Sequence, residues 1–183
     1  MFQRRVLDLV EQVSKAFGFQ FWYWCPAGKC QGIQPSGNPI EKGAWLTLPV
    51  FNASFLFLPP DTNDGEQRKG QWLLDIHVVP DTGFSKRGKM EPDPANFPDP
   101  NKCQSMLGLY AFIVTKHVKK NWVFGIWGKY EWPEQDGVAD TDEEGGIRVL
   151  GLRTGLAHLG DRDAVLTLAN RFRDMVRKEG GVV

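Results

Sequence analysis

Near the start of the chain, apolar side chains return at three- and four-residue steps: Val6, Val10, Val13 and Phe17, with Leu7 and Leu9 beside them. Arg4, Arg5, Asp8, Glu11, Gln12 and Lys15 fill the opposite face. The spacing predicts an amphipathic helix, which Gly18 is placed to end. The far end of the chain repeats the pattern. Beyond Asp161, a candidate N-cap, Val165, Leu168, Phe172 and Val176 form one stripe, with Leu166, Ala169 and Met175 near it. Asp163 lies at the dipole-positive start, and Arg171, Arg173, Arg177 and Lys178 gather toward the end, before Gly180 and Gly181.

Between these helices the period drops to two and the residues turn aromatic and β-branched, which predicts strands near 19–25, 44–49, 53–58, 72–79, 104–116, 121–132 and 147–152. "FWYWC" (21–25) alternates Phe21 and Tyr23 against Trp22 and Trp24, so both of its faces are expected to be covered. Pro49 and Asn52 make 44–58 either a hairpin or one bulged strand. In 104–116, Met106, Tyr110, Phe112 and Val114 share one face and Leu107, Leu109 and Ile113 the other. A strand apolar on both faces belongs inside a sheet. "TKHVKKN" (115–121) reads as a hairpin connection from this strand to the next.

In "NWVFGIWGKYEWP" (121–133), strand alternation sends Trp122, Phe124, Ile126, Tyr130 and Trp132 to the core, and Trp127 to the other face beside Lys129 and Glu131. Polar stretches at 59–70, 81–102 and 134–146 read as long loops, the last strongly acidic. The order of helix, many strands and helix implies an α+β fold. The expectation is a mostly antiparallel sheet of about six or seven strands, with the N-terminal and C-terminal helices packed on it. A chain of 183 residues, 42% apolar and 12% aromatic, is expected to form a single globular domain over 1–183.

Charge narrows the partners. Lys plus Arg and Asp plus Glu number 22 each, so no global field draws the chain to nucleic acid or anionic lipid. No segment approaches the roughly 20 apolar residues of a membrane span. Asp8, Glu11 and Gln12 interrupt any apolar run that a secretory signal would need. Three cysteines do not suggest a disulfide framework, so a soluble cytoplasmic protein is the expectation.

Candidate chemistry is sparse. Cys25 and Cys30 bracket "PAGK", with Cys103, His77, His117 and His158 distant. A zinc site would have to gather ligands from unrelated segments, so free thiols at a strand end, and no metal, are expected; a Cys25–Cys30 disulfide is the other option across such a turn. The six carboxylates Glu134, Asp136, Asp140, Asp142, Glu143 and Glu144 do not fit the calcium-loop spacing and read as a solvated, self-repelling loop. Their functional alternative is a docking surface for a basic partner. Phosphate-cradling glycine motifs are missing, and no cofactor is expected.

The strongest catalytic candidate is "WLLDIHVV" (72–79), where alternation points Asp75 and His77 the same way, with Cα atoms about 6.5 Å apart. Seven tryptophans are the main compositional anomaly. Trp127, between Gly125 and Gly128, is the one expected to be accessible as a binding hot spot. Lys119, Lys120 and Lys129 lie near it in sequence. The leading functional expectation is a non-catalytic protein-binding protein using Trp127, Lys129, Lys119 and Lys120. The alternative is a hydrolase-type enzyme built on Asp75 and His77, with a divalent ion in one version. A small-molecule ligand stacked on Trp127 is the third reading.

Overall fold

In the computed structural model, which describes residues 2–26, 37–38, 40, 52–82, 99–137 and 139–180, α1 covers Phe2–Phe17 and α2 covers Arg162–Gly180. Both helices end as their sequences direct. Gly18 takes a left-handed φ of 71° after α1, and its N–H bonds back to Lys15 O at 3.1 Å. Asp161 Oδ1 accepts the Ala164 N–H at 2.8 Å, capping α2. The two apolar stripes meet one face of the sheet, where Val10, Val13, Val165 and Phe172 pack with Phe55, Leu74, Ile76 and Leu109. Phe172 meets Phe17 edge-on, with ring centroids 6.1 Å apart.

The sheet has six strands: β1 (Gln20–Pro26), β2 (Ala53–Leu58), β3 (Trp72–Val79), β4 (Met106–Val114), β5 (Ala139–Asp142) and β6 (Ile147–Gly155). Their order is β1-β2-β3-β4-β6-β5, and every neighbouring pair is antiparallel, giving the expected α+β class. β4 lies inside the sheet between β3 and β6, and both of its faces are buried, as its two-sided apolar pattern predicts.

Three expectations need correction. Residues 121–132 do not form a strand; Trp122–Trp127 form one π-helical turn. Asn121 caps it, with Oδ1 accepting the N–H groups of Val123 and Phe124, both at 2.9 Å. The turn closes through Gly128 N–H to Val123 O at 2.7 Å. Its buried residues are Trp122, Val123 and Ile126, a helical spacing, so Phe124 projects outward with 73% of its surface exposed instead of joining the core. Consequently 115–121 does not close a hairpin with a following strand. Val118 instead makes an isolated antiparallel bridge to Gln67.

The second correction falls in the acidic stretch, where Ala139–Asp142 pairs with β6 as an edge strand. Asp142 Oδ1 accepts the Gly145 N–H at 2.7 Å and Gly146 takes φ 72°, so the turn residues close a hairpin that the charge pattern obscured. Carboxylates on a sheet edge also discourage pairing with other chains. The third lies in β1. A bulge between Phe21 and Tyr23 leaves Trp22 without a partner in the register. Phe21 and Trp24 therefore share the helix-covered face, Tyr23 takes the other, and Trp22 is exposed. The strand expected at 44–49 and Cys30 lie outside the described residues, as does most of 81–102.

The second face of the sheet carries Leu56, Leu73, Tyr110, Phe112, Val114 and Val149. It is covered by residues 118–132, an arch whose Trp122, Val123 and Ile126 pack onto these side chains.

Candidate functional site

β3 pairs with β2 and β4 on either side, so every side chain it points toward the arch lies near the centre of the sheet. Alternation makes those side chains Leu73, Asp75 and His77. Asp75 stands opposite Leu56 on one neighbour and Tyr110 on the other, and is completely buried.

Three donors converge on one oxygen of this carboxyl. Asp75 Oδ2 accepts the indole N–H of Trp127 at 2.8 Å, that of Trp132 at 3.1 Å and the Ser54 hydroxyl at 3.2 Å. Oδ1 is buried without a hydrogen-bond partner. Burial pushes the Asp75 pKa up to about 7, overriding the three hydrogen bonds that pull it down.

Ser54 faces His77 across the β2–β3 ladder, and its Oγ lies 2.9 Å from His77 Nδ1. A hydroxyl carries one proton, so while Ser54 donates to Asp75, the contact with His77 requires the imidazole proton on Nδ1. The imidazole lies against Trp132, 4.1 Å between centroids, and Trp132 stacks on Tyr110 at 5.1 Å with the rings 16° from parallel. Burial, first among its causes, pushes the Tyr110 phenol up to about 12. Two glycines make room for this ring. A Cβ at Gly108 would lie 2.6 Å from a Tyr110 ring carbon, and one at Gly151 2.9 Å.

On the β1 side, Cys25 pairs with Ser54 and is a free, half-buried thiol held above its usual range by burial and then by the Asp75 charge. On the β6 side, Arg153 Nε is 2.7 Å from Asp136 Oδ1.

Ser54, Asp75 and His77 are thus together, but in the order Asp–Ser–His. Nucleophilic hydrolysis by such a trio needs the imidazole in the middle, taking the serine proton while the carboxylate orients it. The present order instead ties two indoles and a hydroxyl to a carboxyl at the heart of the sheet. Among the described residues no group of three or more His, Cys, Asp or Glu is placed to hold a metal ion.

The other sequence candidates are dispersed. Trp127 is half-buried, packs against the second core and turns its N–H inward. Lys120 is tied down, its Nζ donating to Tyr130 Oη and to Gly145 O, both at 3.0 Å. Lys119 and Lys129 are exposed. A shallow cavity of about 170 Å³ beside the arch is lined by Trp127, Gly128, Tyr130, Glu131 and Trp132. Sequence reasoning missed Ser54, Tyr110 and Trp132 as partners of Asp75. The available signal was Ser54, a hydroxyl in the otherwise apolar run "ASFLFL" of a core strand.

Comparison with other proteins brings a relative of similar length. The chain is 24% identical over 188 aligned positions, spanning 97% of this chain and 86% of the relative, to a Pasteurella multocida (strain Pm70) protein named "Uncharacterized protein PM0109". No solved structure matches it. The PM0109 family model matches residues 1–181, and the chain belongs to that family.

Proposed function

We propose that this protein is a non-catalytic binding module that engages another protein through the tip of the arch. The observation that carries the reading is Phe124, a large apolar side chain with 73% of its surface exposed on a well-anchored turn. Its backbone is fixed by the Asn121 cap, and Asn121 and Trp122 in turn bond to the Asp64 carboxylate. A rigid, solvent-facing aromatic carries little ordering cost on binding, which is the property of an interface anchor. The exposed Lys119 and Lys129 on the same segment favour an acidic surface on the partner. Trp127 then supports the arch from beneath. The balanced overall charge disfavours nucleic acid as the partner, and the cysteine usage favours the cytoplasm.

The test is a photo-crosslinking amino acid placed at position 124 in the native host, with position 171 on the exposed face of α2 as control. A single protein captured at 124 and not at 171, and released by Lys119→Glu, supports the reading. Identical capture at both positions, or none, removes it.

A second reading, a hydrolase, would require Ser54 to turn its proton from Asp75 to His77 Nδ1, which lies 2.9 Å from its Oγ. A serine-directed fluorophosphonate probe decides it. Labelling that disappears in Ser54→Ala and His77→Ala would move the assignment to an enzyme, whereas absence of labelling leaves the binding reading alone.

A further inference from the structure

We propose that Asp75 is a proton-operated latch for the arch: the protonated carboxyl keeps the indoles of Trp127 and Trp132 seated over it, and ionisation, which calls for water in a dry site, loosens the arch. Both indoles belong to the arch, whereas the carboxyl belongs to the central strand β3, so these two hydrogen bonds cross from the covering segment to the sheet. Hydrogen bonds to a charged acceptor are about twice as strong as those to a neutral one. Ionisation therefore strengthens both ties and the Ser54 tie, yet burial outweighs all three, so the covered carboxyl holds its proton more tightly than one in water and losing that proton favours uncovering it.

The carboxyl is built to accept a proton without rearrangement. All three donors use Oδ2, while Oδ1 makes no hydrogen bond that a proton would have to displace. Burial disfavours the charged form, and the donors favour it. Burial prevails over the donors and lifts the change from the ordinary carboxyl range to about 7.

The surrounding groups leave few rivals. From β1, Cys25 lies across from Ser54, its thiol held up by burial and then by the Asp75 charge; from β4, Tyr110 has its phenol pushed up to about 12. Neither gains or loses a proton near neutrality. From β6, Arg153 stays a cation and pairs with Asp136 of the preceding segment. From β3 itself, His77 reaches Asp75 through Ser54, and imidazole is the other side chain whose ordinary titration lies in this range. Any test must separate these two.

The latch rests on the packing and burial of Asp75 beneath the arch and does not depend on partner capture. Lost capture with an intact titration, and the reverse, are therefore distinct failures. The experiment follows the indole ¹⁵N–¹H resonances of the full chain from pH 5 to pH 9, with Trp127 and Trp132 assigned through single Phe variants. The expected result is that both resonances move together with one midpoint near neutral pH. In Asp75→Asn, isosteric but never charged, both should stay at their low-pH positions. Trp132→Phe removes one donor to the ionised form and should raise the midpoint seen at Trp127. His77→Gln should shift the midpoint yet keep the transition. Flat resonances in the wild type, or a transition that survives Asp75→Asn and vanishes in His77→Gln, would overturn the proposal. Where Asp75→Asn proves unfolded by circular dichroism, the Asp75 carboxyl ¹³C resonance decides: a midpoint below pH 5 refutes the latch and one near neutral supports it.

Discussion

Trp127 Nε1 donates to Asp75 Oδ2 at 2.8 Å, across 52 residues of sequence. The contact joins a residue expected to be accessible to one expected to be catalytic only in the alternative, enzyme reading, and it changes the role of both. Trp127 turns its polar edge inward and lends the arch rigidity. Asp75 spends its accepting power on the protein's own donors. Because a buried carboxyl without partners is strongly disfavoured, the indoles and the Ser54 hydroxyl are what let β3 carry Asp75 at its centre.

The first prediction follows from that burial. The folded-state pKa of Asp75, about 7, lies above the ordinary carboxyl value of 3.8. Between those values the folded protein holds a proton that the unfolded chain has released, so stability falls as pH rises and levels off above the folded value. From pH 5 to pH 8 the loss amounts to about 3 kcal/mol. Urea denaturation at the two pH values measures it, and Asp75→Asn should flatten the slope. A wild type more stable at pH 8 than at pH 5, or an undiminished slope in the variant, contradicts the buried-acid account.

A second prediction concerns room for Tyr110. Gly108→Ala would bring a methyl group to 2.6 Å from a Tyr110 ring carbon and 2.9 Å from its hydroxyl, in a layer where Tyr110 also stacks on Trp132. Overpacking of this kind costs about 1–3 kcal/mol. Gly160→Ala is the control, because a Cβ there meets nothing within 4 Å. Thermal melts should show a clear drop for the first variant and almost none for the second. Equal melting temperatures would mean the second core has slack.

How far the sequence reveals this molecule depends on whether the controlling interaction is local. Val10 and Val13, or Val165 and Phe172, announce their helices because burial recurs with the helical period itself. β3 matches its expected bounds for the same reason, since Trp72–Val79 alternates between two covered faces. The arch failed that logic. Trp122, Val123 and Ile126 are buried and Phe124 is not, a helical spacing within a six-residue turn too short to stand out from strand alternation. Asn121 ahead of it, with Gly125 and Gly128 inside and after it, was the legible clue to a capped turn. Pairing Asp75 with His77 needed only alternation. Adding Ser54 needed the β2–β3 register, and adding Trp132 needed the arch, both of which are set by contacts remote in sequence.

The arch also yields a contrast between two phenylalanines. Phe112 is fully buried in the second core, whereas Phe124 is largely exposed on the turn above it. Phe112→Ala should cost about 3–5 kcal/mol through lost burial and the cavity left behind. Phe124→Ala should change stability by no more than about 0.5 kcal/mol. If Phe124 is the interface anchor, the harmless variant in a denaturation curve is the damaging one in partner capture. A Phe124→Ala protein that unfolds as readily as Phe112→Ala would place Phe124 in the stability of the arch and remove it from recognition.

Cys25 offers a chemical readout of the same carboxyl. Its thiol is held above the ordinary value first by burial and then by the negative charge of Asp75. The thiolate is the reactive form, so alkylation at pH 8 should be slower than in a cysteine peptide, by roughly tenfold for each unit of elevation. The Asp75 contribution exists only while that side chain is ionised, which confines it to pH values above about 7. Asp75→Asn should therefore speed iodoacetamide modification of Cys25 at pH 8 and leave it unchanged at pH 6. Peptide mass spectrometry resolves this site from the other cysteines. Equal rates for wild type and variant at pH 8 would show that the Asp75 charge does not reach the thiol, and a difference persisting undiminished at pH 6 would show that Asp75 is ionised throughout.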